Sequence, residues 1–167
     1  DRRGVADDLA RCSLFEGLSV QEDLGRYCPT ATTRCFQDKD TIYSQGELCP
    51  DLFCVVAGQV KLARVSSEGD GFTTALLTGG ELFGPALSGS PGPEAQETAT
   101  VRRGATVWRV PAREFNALLL HQPPLCLRLV GTLARRQQQL ERRLACLALK
   151  RTEARLAETF RELSGGF

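Results

Sequence analysis

The sequence holds a single histidine, His121, and it lies outside every segment with strand texture. A metal-dependent jelly-roll enzyme needs two or three histidines and a carboxylate meeting inside the barrel. A serine or cysteine hydrolase needs a histidine base. Both classes lack their chemistry here, and the chain is expected not to be an enzyme. Long hydrophobic runs are missing too: no stretch of about 18 apolar residues is present to cross a membrane. The start, Asp1-Arg2-Arg3-Gly4, runs into acidic residues instead of the apolar core of a signal peptide. Charge of either sign is not in excess, since 21 Lys and Arg against 20 Asp and Glu leave +1. No overall basic field therefore draws the chain to nucleic acid or membrane.

What is plentiful is cysteine: Cys12, Cys28, Cys35, Cys49, Cys54, Cys126 and Cys146, seven in all. An odd count with no export signal reads as reduced thiols in the cytosol, not as a disulfide framework. A length of 167 residues, 42% hydrophobic and 25% charged, suits one globular domain plus an appendage.

Val5 to Cys12 reads as a short helix, and Ser19 as the N-cap of a second through about Arg26, with Glu22 completing a capping box. From about Ala31 short β-type runs take over: 32–36, 41–44, 52–56, 59–65, 72–77, 98–101 and 105–110. Gly46, Gly58, Gly69, Gly71, Gly79-Gly80 and Gly104 fall between them. Seven or eight short strands so spaced predict a mainly β fold, an antiparallel jelly roll or barrel with flanking helices. Ser88 to Pro93, rich in Ser, Gly and Pro, reads as a loop without regular structure. After Pro111 the period turns helical over Ala112 to His121, and Pro123-Pro124 ends that helix and starts another.

On this last helix Cys126, Val130, Leu133, Gln137, Leu140, Leu144 and Leu147 recur with gaps of 4, 3, 4, 3, 4 and 3. That is the a/d spacing of a coiled coil over three heptads. A helix packed on its own domain also carries an apolar stripe. This stripe is narrow and strict, however, and a helix from Pro123 to Leu149 spans about 40 Å, more than a small β domain covers. The expectation is a parallel homodimer, with Gln137 setting register. Past Lys150, Leu156, Phe160 and Leu163 share one face of a further helix that Ser164-Gly165-Gly166 stops.

The order of elements, and the residues within them, resemble the sensor domain of the Crp/Fnr transcription regulators. Leu14-Phe15-Glu16-Gly17-Leu18-Ser19 is similar to that family's opening motif, and Asp40 to Glu47 to its first glycine turn. Asp51 to Leu62 is very like the family's hairpin around a glycine, here Gly58. Gly80-Glu81-Leu82-Phe83-Gly84 matches the start of the phosphate-binding cassette, and Arg151 to Ala157 the helix that introduces a winged helix-turn-helix. The resemblance implies a double-stranded β-helix sensor domain over 1–122, a dimerisation helix over 123–150, and over 151–167 the start of a linker. It also implies a cytoplasmic homodimer that binds DNA through a domain beyond Phe167. The rival reading is a stand-alone ligand-binding or interaction domain with no DNA role; coding sequence beyond Phe167 discriminates the two.

In cyclic-nucleotide binders of this fold a cassette Glu grips the ribose and an Arg the phosphate. The matching positions here hold Pro85 and Glu97, and no Lys or Arg occurs between Arg64 and Arg102. On the long helix, Leu140 and Glu141 replace the hydroxyls offered to the base. Cyclic AMP is therefore not the expected effector. An iron–sulfur cluster needs four converging thiolates, and the cysteines are too scattered. Haem would need His121, which reads as a solvated helix end. A thiol switch would use Cys49, in a turn beside Pro50, or Cys126 near its dimer mate, whereas Cys54 and Cys146 suit a core. The expected effector cavity is floored by Leu82, Phe83, Gly84, Leu87, Glu97 and Thr98, with Leu133 and Leu140 from the long helix. An apolar or carboxylate-free small molecule would fit it; the alternative is a pocket filled by side chains.

Overall fold

The structure, a computed structural model, describes residues 7, 9, 10, 12–66, 69–88 and 93–164. Half of the expected first helix lies outside these residues, and within the rest Asp7, Leu9 and Ala10 are helical. Helix α1 spans Val20–Tyr27. It starts without the expected capping box, because the Ser19 side chain caps nothing. The Ser19 carbonyl instead accepts the Asp23 N–H at 2.8 Å.

Six antiparallel strands follow: β1 (Thr32–Phe36), β2 (Thr41–Tyr43), β3 (Asp51–Val65), β4 (Gly71–Leu77), β5 (Leu82–Phe83) and β6 (Thr98–Pro111). Their order is β1-β6-β3-β4, with β2 also on β6 and β5 on β3. Two corrections to the sequence reading concern glycines. Gly58 is not the turn of a hairpin, and Gly104 does not separate two strands. Strands β3 and β6 run through both, 15 and 14 residues long. Register shifts mark the passage, between Val55 and Ala57 and between Gly58 and Gln59 on β3. Arg103 and Gly104 take positive φ of 60° and 80°, so the strand bends without ending. Such bulges let one long strand serve both halves of a roll.

Alternation fills the interior. Tyr43, Phe53, Val55, Val60, Leu62, Leu77, Phe83, Ala99, Val101 and Val107 form one buried cluster. Within it Phe53 stacks on Phe83 at 5.3 Å, and Tyr43 tilts against both at 5.6 and 6.2 Å. Each such fully buried apolar side chain contributes about 1.5–3 kcal/mol. On the sheet's other side Phe15 meets Trp108 edge-on at 5.8 Å, which gives the Leu14-Phe15 motif its packing role.

Helix α2 covers Ala112–His121, as expected. Helix α3 covers Pro123–Ser164 as one continuous helix of 42 residues, so no second helix starts after Lys150. The chain divides into two compact units, Asp1–Leu125 and Cys126–Phe167. No helix among the described residues is long and apolar enough to cross a membrane.

A Cβ on Gly58 would lie 2.2 Å from the Gly104 carbonyl oxygen and 2.7 Å from the Ala105 Cα, at φ +88°. Gly58→Ala is expected to cost about 3 kcal/mol, combining clash and left-handed strain. Gly25→Ala on α1, where the new Cβ meets nothing within 4 Å, should instead stabilise by about 0.5–1 kcal/mol. Urea midpoints of the two variants check both signs.

Candidate functional site

The segment before β6 is held by backbone. Gly46 N–H donates to the Ala95 carbonyl at 2.8 Å, Ala95 N–H to Glu47 at 2.8 Å, and Cys49 N–H to Pro93 at 3.0 Å. The Gln45 side chain then clasps Val65 from both sides, at 3.1 and 2.9 Å. Opposite this segment, Gly84 turns the chain from β5 into a 3-10 turn over Pro85–Ser88. Its φ is +116°, and a Cβ there would sit 3.0 Å from the Asp51 carbonyl oxygen, so only glycine brings the turn this close.

Between the two lies a cleft of about 400 Å³, lined by Tyr43, Gly84, Pro85, Ser88 and Pro93 to Glu97. Glu97 is half-buried, and its Oε2 accepts the Thr74 hydroxyl at 2.7 Å. The nearest basic residue along the pairing, Arg64, donates its Nε to the Gln96 carbonyl at 2.9 Å. Neither Glu94 nor Glu97 makes an ion pair among the described residues. The Tyr43 phenol is pushed well above its ordinary pKa, first by burial and then by Glu97 and Cys49. It stays protonated.

Of the residues expected to line the cavity, Gly84 and Glu97 do so. Leu82 and Phe83 turn inward instead, 4% and 1% exposed in the core, because β5 pairs with β3 at Cys54 and Phe53. Leu87 is half-buried in the 3-10 turn, and the Thr98 hydroxyl is taken by the Gln45 N–H at 3.0 Å. Leu133 and Leu140 belong to the other unit, on α3. Part of the Ser88–Pro93 loop lies outside the described residues. Tyr43 was missed. It lies in the 41–44 run read as a strand, and β2 buries it in the core. A second, smaller cleft of about 200 Å³ also touches Tyr43. In it buried Asp51 pairs with Arg109, and Arg34 and Glu47 also line it.

The thiols divide by burial. Cys12, Cys28, Cys49 and Cys54 are buried, while Cys35, Cys126 and Cys146 are exposed. Two expectations are thereby corrected. Cys49 is not on the surface, because its N–H ties it to Pro93, and Cys146 is not in a core. Cys54 is pushed up by its hydrogen bond with Cys12 and by burial. Burial beside Glu114 pushes Cys28 up to about 12. His121 stacks its ring on Tyr27 at 4.6 Å and bonds the Ala117 carbonyl through Nδ1 at 2.8 Å. Among the described residues no three His, Cys, Asp or Glu side chains gather as a metal site.

The structure is thus a β-roll with a cleft between the turn after β5 and the start of β6. Residues 33–122 match the model of the cyclic nucleotide-binding domain, and the chain belongs to that family. It is 25% identical to the CRP-like cAMP-activated global transcriptional regulator of Mycobacterium tuberculosis, over 95% of this chain and 70% of that protein. Among solved structures, the catabolite activator protein of Thermus thermophilus superposes with a TM-score of 0.64 at 29% identity, covering 81% of this chain. The chain spans 62% of that solved chain. The sensor domain of the transcriptional regulator DNR from Pseudomonas aeruginosa superposes at 0.67 with 22% identity, covering 83% of this chain and 91% of that domain. The curated relatives are Crp-like transcription regulators, and the fold is shared with the sensor domain of one such regulator.

Because the folded state favours the neutral Cys28 thiol, its stabilising contribution is whole below about pH 9 and is lost as pH rises toward about 12. Urea unfolding above pH 9 should show Cys28→Ala losing stability less steeply than the parent, by up to about 1.4 kcal/mol per pH unit. Ellman's reagent should leave the four buried thiols of the native protein unmodified until denaturant is added. Fast labelling of Cys49 contradicts its burial.

Proposed function

We propose that this chain is the effector-sensing and dimerisation part of a Crp-type transcription regulator of the cytoplasm, and that cyclic AMP is not its effector. The observation that carries the second half is Glu97 in the cleft wall, in a stretch with no Lys or Arg between Arg64 and Arg102. Cyclic-nucleotide binders of this fold hold a phosphate-binding Arg at the matching position, and Pro85 stands where they hold the ribose-binding Glu. A lost charged hydrogen bond costs about 1.5–3 kcal/mol. A like charge at about 4 Å costs on the order of 4 kcal/mol at intermediate dielectric, less here because Glu97 is only half-buried. At about 1.4 kcal/mol per power of ten, even a discounted sum is several powers of ten in affinity. The relatives named as cAMP-activated share the roll but, at this level of identity, do not impose its ligand.

The dimer rests on α3. Val130, Leu133, Leu140 and Leu144 are 59%, 40%, 47% and 65% exposed on the single chain. Cys126 and Gln137 are exposed on the same stripe, with Gln137 donating to Glu141 at 3.0 Å. Leu147 continues the spacing. Four large apolar side chains left in water on one seam favour a partner helix over packing on the chain's own domain. Effector binding would then shift how the two long helices pack and re-aim DNA-binding domains, carried beyond this chain, at two half-sites about one helical turn apart.

Titration calorimetry with cyclic AMP tests the sensing half: no heat is expected, and micromolar binding overturns it. Sedimentation of Leu140→Lys tests the seam. The parent should run as a dimer and the variant as a monomer, and an unchanged dimer contradicts it.

A further inference from the structure

We propose that the cleft between the Pro85–Ser88 turn and the Pro93–Glu97 segment takes a small organic cation, a protonated amine or amidine on a compact body. The inference rests on reading this cleft as the sensing pocket, and it names the ligand class. Three independent observations support it. The first is charge: Glu94 and Glu97 face the cleft, and the lining holds no basic residue. Arg64, the guanidinium that comes nearest in the pairing, is spent on the Gln96 carbonyl.

The second is an unused acceptor. Thr74 occupies only the Oε2 of Glu97, so Oε1 keeps its lone pairs for a donor that enters the cleft. The third is Tyr43. It lines the cleft and is 3% exposed. Its ring packs against Phe53 and Phe83. Its hydroxyl, however, has no hydrogen-bond partner among the described residues. No buried side-chain oxygen among the described residues is left without a partner, so this hydroxyl opens on the cleft, within reach of a ligand. A ligand donor placed between the Tyr43 oxygen and Glu97 satisfies both groups at once.

An ammonium or amidinium has the required character: donors only, with positive charge. A neutral polyol supplies donors but forgoes the Coulomb attraction, and an anion is repelled. The remaining walls, Gly84, Pro85, Pro93 and Ala95, are apolar and suit a short hydrocarbon or ring body. The volume of about 400 Å³ lies in the range of small-molecule sites.

The test is thermal-shift and calorimetric titration of the intact chain with agmatine, tyramine and spermidine, beside adenosine and cyclic AMP. At least one amine should raise the melting temperature and bind. Glu97→Gln should weaken that binding about tenfold or more, the equivalent of one charge-assisted hydrogen bond. Tyr43→Phe, which removes the hydroxyl that opens on the cleft, should also weaken it. Silence with all three amines overturns the proposal, as does amine binding indifferent to Glu97→Gln. Adenosine binding as tightly as the amines removes the requirement for positive charge and overturns it too. Those outcomes leave the regulator reading standing. Cyclic AMP binding overturns both the amine proposal and the exclusion of cyclic AMP, and the regulator reading still stands.

Discussion

Strands β3 and β6 cross at Gly58 with no room for a side chain. The absent Cβ would intrude to 2.2 Å of the Gly104 carbonyl oxygen, so the two longest strands approach as bare backbone. Because they meet there and shift register, each continues past the bend. One end of β3 pairs with β5 and the other with β4, while β6 carries both β1 and β2. Without that contact the roll would separate into two short-stranded sheets. The cleft depends on it as well. Its walls are the turn after β5, which β3 places through its pairing with β5, and the lead-in to β6, which Gly46, Glu47 and Cys49 hold by backbone bonds.

The chemistry of the cleft follows from sign. On the reading proposed above, Glu97 stands at the cassette position where cyclic-nucleotide binders of this fold hold an anionic group. The backbone bonds at Ala95 and Pro93 fix the segment whatever its side chains are, so the architecture tolerates the reversal of charge. A scaffold built by main-chain hydrogen bonds can change ligands without changing shape, which is the physical content of the rule that function resides in sites grafted on folds.

Much of this was legible in the residues. The β-type runs of β1 and β4 and the proline pair that divides α2 from α3 are local signals that place elements to within a residue or two, whereas the heptad stripe marks the start of α3 but not its end at Ser164. Gly58 and Gly104 misled because a glycine at positive φ looks the same in sequence whether the strand turns back or bends and continues. Leu82 and Phe83 were assigned to the cavity by their cassette position, but two apolar residues beside an interior are drawn into it. Tyr43 was invisible as a site residue, since its role comes from Glu97, 54 positions later in the chain. Cys49 and Cys146 show the same limit: burial of a single thiol is decided by partners that local sequence does not contain.

The account turns on the claim that the charge at residue 97 decides which ligands the cleft admits. Titrating Glu97→Arg beside the unaltered protein with cyclic AMP tests it directly. The account requires the variant to gain at least about tenfold in affinity, the equivalent of one charge-assisted hydrogen bond. Equal behaviour of the two proteins, with the variant shown to be folded, would contradict it.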